Sequence, residues 1–165
     1  DWGRTRAYAV GLGQIYFNLR GRESRGIVSP GAEYKALQDE MAAKLVQLVD
    51  PEDGQRVMSA VYRRDDIYKG DYIQYAPDLQ VGLNDGYRVG WQDTMGGVSR
   101  AVVENNNRKW SGDHCATFTE ISGGVIFSNR KLATEKPHIM DISPTVLKLL
   151  EVPIPADVDG KAFLQ

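Results

Sequence analysis

The chain has 165 residues, 42% of them hydrophobic and 25% charged, with a formal net charge of -2. That length and apolar content allow one domain-sized core and exclude a chain disordered by composition. The balance of 20 basic against 22 acidic residues argues against a non-specific binder of nucleic acid polymer, and no apolar run approaches the roughly 20 residues of a membrane helix.

From the N-terminus, Tyr8, Val10 and Leu12 alternate with their neighbours, and so do Ile15, Phe17 and Leu19. This is the period of paired strands over 7–19, with Gly11 and Gly13 marking a bend or bulge where backbone approaches backbone. Arg20-Gly21-Arg22-Glu23 reads as a turn. Ser29-Pro30 reads as a helix start, a capping hydroxyl followed by a first-turn proline. The helix is expected to run to about Val49, with Tyr34, Leu37, Met41, Leu45 and Leu48 as one apolar stripe. Residues 57–62 are predicted as a strand, 63–68 as a short helical turn, and 79–83 as a strand entered through Ala76-Pro77-Asp78. Asn84-Asp85-Gly86 is a turn signal, and 87–91 is expected to continue as a strand. The front therefore reads β-β-α-β-β, an α+β subdomain of ferredoxin-like type over 1–95. Residues 94–109 form a Gly- and Asn-rich loop, a kind that in compact domains is often functional. Behind it come an apolar strand at 124–127, a helix at 141–150 and a proline-marked tail.

Chemistry concentrates in Trp110-Ser111-Gly112-Asp113-His114-Cys115, which holds one of the chain's two histidines. A histidine beside an aspartate has a plain reading, a loop side chain with a local hydrogen-bond partner. It also has a sharper one, since neutral imidazole is a common zinc ligand and a nearby carboxylate can set its tautomer. Trp91, Trp110, Tyr87 and Arg88 flank the long loop as an aromatic and cationic group. They either pack at strand edges or stack a base and hold a phosphate; Trp110 and Arg88 are the substrate-binding candidates. His138 lies in a surface-like stretch. The pairs Asp39-Glu40 and Asp65-Asp66 read as solvated charge, and Asp141 as a helix cap. Cys115 has no third orienting group that would make a cysteine nucleophile of it.

The order of these segments carries a resemblance. Gly112-Asp113-His114 precedes the apolar run Gly123-Gly124-Val125-Ile126-Phe127-Ser128-Asn129; then follow Asp141-Ile142-Ser143-Pro144-Thr145, Val152-Pro153-Ile154-Pro155 and Asp159-Gly160-Lys161. The succession resembles the C-terminal part of type I phosphodiesterase/nucleotide pyrophosphatase proteins, of the alkaline phosphatase superfamily. The resemblance implies an α/β fold with an α+β insertion. On that reading the chain is a C-terminal fragment of an alkaline-phosphatase-like α/β/α core carrying the β-β-α-β-β subdomain, with residues 96–165 supplying a ligand loop and the last core strand and helix. It further implies a phosphate ester substrate and two divalent metal ions, usually zinc, clamping the phosphoryl group. His114 would be the last metal ligand, with Asp113 either orienting it or binding weakly.

The remainder of such a site is not in these residues. No Asp-x-x-x-His and no second Asp-His pair occurs, and none of the threonines, Thr145 included, sits in a nucleophile's strand-to-helix setting. One histidine cannot hold two zinc ions, which need three or more protein ligands each. The expectation is a chain that starts at Asp1 because it was processed or cut from something longer, with its catalytic N-terminal region elsewhere and little activity alone. Its apolar surface would then face the missing region, or be covered by homo-oligomer formation. The alternative from another class is a non-catalytic α+β binding or assembly module in which His114 is structural.

Overall fold

The computed structural model describes every residue except 96, 98, 110, 111, 113–115 and 165, with residues 93 and 94 described in backbone only. It forms two compact units, residues 1–123 and 124–165. In the first unit, β1 (Ala7–Val10) and β2 (Gln14–Phe17) make the expected hairpin, Ala7 opposite Phe17 and Val10 opposite Gln14. Gly11 and Gly13 turn it with φ of 69° and 88°, a region that strains any residue with a Cβ. At Gly13 a Cβ would also lie 2.8 Å from Val81 Cγ2. The missing side chain is what lets this turn lie against the neighbouring strand, where the Gly13 carbonyl accepts the Val81 N–H at 2.8 Å.

α1 (Ala32–Leu45) starts at Ala32 rather than at Pro30, with Gly31 in the cap position at φ 88°. The Ser29 hydroxyl does not cap it. Instead the Glu33 carboxylate accepts the backbone N–H of Ser29, two residues before the cap position, at 2.9 Å, and this bond holds the Glu33 pKa below its ordinary value. The helix ends before Val49, which bridges Arg56. β3 (Met58–Arg63), the one-turn α2 (Arg64–Ile67) and β4 (Leu79–Leu83) follow.

The sheet order is β1-β2-β4-β3 with every pairing antiparallel. The fold is therefore mixed α/β, built on a small antiparallel sheet. β2 and β3 flank β4 and run the same way, so α1 is the crossover between them, as parallel-running strands require. A ferredoxin-like unit carries two crossover helices. Here α1 is the only helix longer than a turn among the described residues of this unit.

The core lies between α1 and the sheet: Ile15, Phe17, Val28, Leu37, Ala42, Leu79 and Val81, with Tyr34, Met41 and Leu45 of the helical stripe at its margin. Each fully buried Phe or Leu stabilises by about 2–3 kcal/mol. β4 is central and buried from Leu79 to Gly82. Its one polar side chain, Gln80, is satisfied by donating to the Gly13 carbonyl at 3.1 Å and the Leu12 carbonyl at 3.3 Å.

The strand expected at 87–91 is not formed. A strand returning from the Asn84-Asp85-Gly86 turn would have to pair with β4, and both edges of β4 are already taken by β2 and β3. The chain instead passes into the short helix α3 (Trp91–Thr94).

In the second unit the predicted helix is present: a 3-10 turn, Ile139–Asp141, leads into α4 (Ile142–Leu149). The strand expected at 124–127 is not. Val125 and Phe127 are 85% and 92% exposed, and no described residue pairs with the segment. Without a neighbour to take its backbone groups, an apolar run does not hold a strand.

The two motifs of the tail meet in space. Asp141 accepts the backbone N–H groups of His138 and Lys161, both at 2.8 Å, and these bonds lower its pKa, that from Lys161 most. Thr145, 4% exposed, donates to the Asp141 carbonyl at 2.6 Å and accepts the Phe163 N–H at 3.0 Å. Gly160 lies so close to the Met140 carbonyl that a Cβ would collide with it.

Candidate functional site

The end of β4 and the chain that leaves it build a cleft. Asn84 is anchored by its N–H to the Val57 carbonyl at 3.0 Å and by its side-chain amide to the Arg56 carbonyl at 3.2 Å. Gly86 turns with φ of 83° and sends the chain back, the Tyr87 N–H closing on the Asn84 carbonyl at 3.1 Å. The Tyr87 hydroxyl donates to Asp50 Oδ2 at 3.1 Å. Partial desolvation and the Asp50 carboxylate raise its pKa. On the other side, Thr117 Oγ1 donates to the Val81 carbonyl at 2.7 Å, and Phe118 lies against Gly82, the one position of β4 without a side chain.

Arg88 crosses between these walls. Its Nη1 donates to the Gly112 carbonyl at 3.3 Å, its Nε to the Val89 carbonyl at 3.4 Å, and its guanidinium carbon stands 5.0 Å from the centre of the Trp91 ring. The cation is thereby oriented by an aromatic face and backbone carbonyls.

Two clefts share this wall. One of about 300 Å³ is bounded by Val81, Leu83, Thr117 and Ile121, and by Gly112 and Ala116, the described residues on either side of 113–115. Its charged lining residues, among those described, are Asp85 and Arg88. The other, of about 430 Å³, opens between the 50–53 turn, Trp91 and the 101–108 loop. Residues 85–89 line both.

The predicted site residues divide accordingly. Asp113, His114, Cys115 and Trp110 lie outside the described residues. Arg88 is at the shared wall, as are Tyr87 and, in the larger cleft, Trp91. Among the described residues no group of three or more His, Cys, Asp or Glu side chains is arranged to hold a metal ion. His138 caps the 3-10 turn, its Nδ1 accepting the Met140 N–H at 3.4 Å. Asp39 pairs with Arg63 at 2.8 Å, Glu40 with Lys44 at 2.5 Å and Asp65 with Arg64 at 3.0 Å, all on exposed faces as solvated charge.

Sequence reasoning missed Asp78, a charge that is fully buried at the entrance to β4. Its carboxylate accepts the Phe17 N–H at 2.6 Å, two bonds from the Arg22 guanidinium at 3.0 and 2.6 Å, and the Tyr34 hydroxyl at 2.9 Å. Arg64 Nη1 stands 3.5 Å away, and the Asp78 carbonyl accepts from the Gln38 amide at 3.0 Å. Burial opposes the Arg22 charge, but the bonds to Asp78 and Glu23 outweigh it and raise its pKa. Burial and the same carboxylate push the Tyr34 hydroxyl above its ordinary value. The available signal was an aspartate directly before a mostly apolar strand, with an Arg-Gly-Arg-Glu turn after β2 to neutralise it.

No described helix is long and apolar enough to cross a membrane. Compared with known proteins, the chain matches no family model, no curated protein and no solved structure.

Proposed function

We propose that this chain is the C-terminal portion of a metal-dependent phosphohydrolase of the phosphodiesterase/nucleotide pyrophosphatase type, in which His114 is a metal ligand and Arg88 holds a substrate oxygen. The observation that carries the reading is the smaller cleft. Gly112 and Ala116, which bracket Asp113-His114-Cys115, line it together with Arg88. The order of the tail segments, whose motifs bond to one another through Asp141 and Lys161, supports it as well. Imidazole and carboxylate are suitable zinc donors, so the residue types fit the group the resemblance implies. When bound, divalent metal ions supply charge neutralisation at phosphorus. The nucleophile and the remaining ligands would come from an N-terminal region of the parent protein.

Within this chain, Arg88 has a defined task. A guanidinium oriented by the Trp91 ring and the Gly112 carbonyl is a planar and permanently charged donor group, which suits a phosphate oxygen. The competing reading, a non-catalytic module, draws on the first unit's self-contained core.

The test compares the parent protein with its His114→Ala variant, by metal analysis and by hydrolysis of bis(p-nitrophenyl) phosphate. The variant is expected to lose a metal equivalent and about a hundredfold in kcat. Unchanged metal content with unchanged turnover would remove His114 from the metal site, and absence of turnover and of bound metal in the parent itself would favour the non-catalytic module.

A further inference from the structure

β3 and β4 are antiparallel neighbours with Arg63 opposite Leu79, a register that a short hairpin turn can close. The chain instead makes an excursion through residues 64–78, longer than the pairing requires. Connections of this length usually carry a function. The two ends of the excursion have a structural task, since Arg64 and Asp78 meet in the buried ion network. Its middle has none: from 65 to 75 no residue is buried.

That middle displays aromatic surface. The Tyr75 N–H donates to the Tyr72 carbonyl at 3.0 Å, which makes one 3-10 turn, Ile73–Tyr75. Positions three apart in such a turn stand on the same side of it. Tyr72 is 80% exposed, Tyr75 65% and Ile67, earlier in the excursion, 42%. Further backbone bonds hold the turn at both ends, from the Ile73 N–H to the Gly70 carbonyl and from the Ala76 N–H to the Ile73 carbonyl. Two phenol rings are thus presented on a fixed backbone, and tyrosine supplies contact area at a low cost in side-chain freedom.

The charge around the rings selects what fits them. Asp65 is paired with Arg64. Asp66, Lys69 and Asp71 are exposed, and their side chains make no ion pair or hydrogen bond among the described residues. Two carboxylates against one ammonium leave negative charge beside the tyrosines. A guanidinium answers both features, because it stacks on an aromatic face and forks onto a carboxylate.

We infer that residues 66–75 form a docking surface for a basic segment of another protein, one whose arginine side chains stack on Tyr72 and Tyr75 and pair with Asp66 and Asp71. None of the residues assigned to metal or phosphate binding takes part, so this surface stands or falls apart from the phosphohydrolase reading.

The experiment is a fluorescence-anisotropy titration of a labelled Arg-Gly repeat peptide with the full chain at physiological ionic strength. Unlabelled Lys-Gly and Glu-Gly repeats of equal length and cellotetraose serve as competitors. The Arg-Gly peptide is expected to bind, the Lys-Gly repeat to compete about threefold more weakly than unlabelled Arg-Gly, and the other two not to compete. Tyr72→Ala combined with Tyr75→Ala is expected to weaken binding about tenfold. Asp66→Lys combined with Asp71→Lys is expected to weaken it by a similar factor. The matched control, Glu135→Lys with Asp157→Lys, changes net charge equally at exposed positions of the second unit and is expected to leave binding unchanged. All the substituted side chains are exposed, and an unchanged urea midpoint reports folded variants. Equal losses in the two charge reversals would reduce the binding to net charge and overturn the surface. Full binding by the tyrosine double variant, competition by cellotetraose or no binding of the Arg-Gly peptide would overturn it as well.

Discussion

A carboxylate removed from solvent needs each of its lone pairs taken, and Asp78 shows what that requires: a backbone N–H, a guanidinium fork and a phenol, with a further arginine nearby. Each partner comes from a different segment, so the one side chain ties β2, the following turn, α1 and α2 together. Breaking such a pair from one side leaves the other charge stranded. Asp78→Asn is expected to cost on the order of 3 kcal/mol, read from the urea midpoint. Beside it, Tyr8 donates to Glu23 at 3.1 Å, and burial together with that carboxylate raises its pKa to about 12 from 10.0. The folded value is raised, so the stability this bond contributes is full below pH 10 and is lost as pH rises toward 12. A phenolate absorbance titration should show a late phase near pH 12 that Tyr8→Phe removes; a Tyr8 that ionises with the exposed tyrosines would contradict the assignment.

At the scale of elements, the geometry is decided by close approaches. The D-I-x-P-T segment and the closing D-G-K belong to one construction, because Gly160 sits against the Met140 carbonyl and Lys161 donates to Asp141. A methyl group at 160 has nowhere to go. Gly160→Ala is expected to cost about 1–3 kcal/mol and to expose the α4 amides to hydrogen exchange, with β2 and β4 unaffected. If β2 and β4 lost protection in step with α4, the second unit would not have been perturbed by itself.

At the scale of the whole molecule, the two units differ in how much they bury. The first has a continuous core under α1. The second leaves Val125, Phe127, Ile139 and Leu150 between 66% and 92% exposed. Exposed apolar surface of this extent marks an interaction site or drives association. The isolated chain is expected to self-associate with rising concentration in sedimentation velocity, and Phe127→Ser combined with Val125→Ser to shift it toward monomer. A monomer at all concentrations would show that these side chains are tolerated in water.

Local pattern alone was enough for the elements whose signal lies in neighbouring residues. The alternation of β2, the helical stripe from Tyr34 to Leu45 and the start of α4 follow from side-chain period, turn residues and capping chemistry, which act over a few positions. Arg88 was legible as a candidate, beside the plainer reading of strand-edge packing, because it stands among aromatics in the sequence. Tertiary structure decided what depends on neighbours distant in the chain. Whether 87–91 could be a strand depended on β2 and β3 having taken both edges of β4, and 124–127 could become one only with a partner to bond. The burial of Asp78 and Gln38 and the clefts around Arg88 depend likewise on which segments meet. A strand's hydrogen bonds and a buried charge's neutralisation are made between segments, and no single segment specifies them.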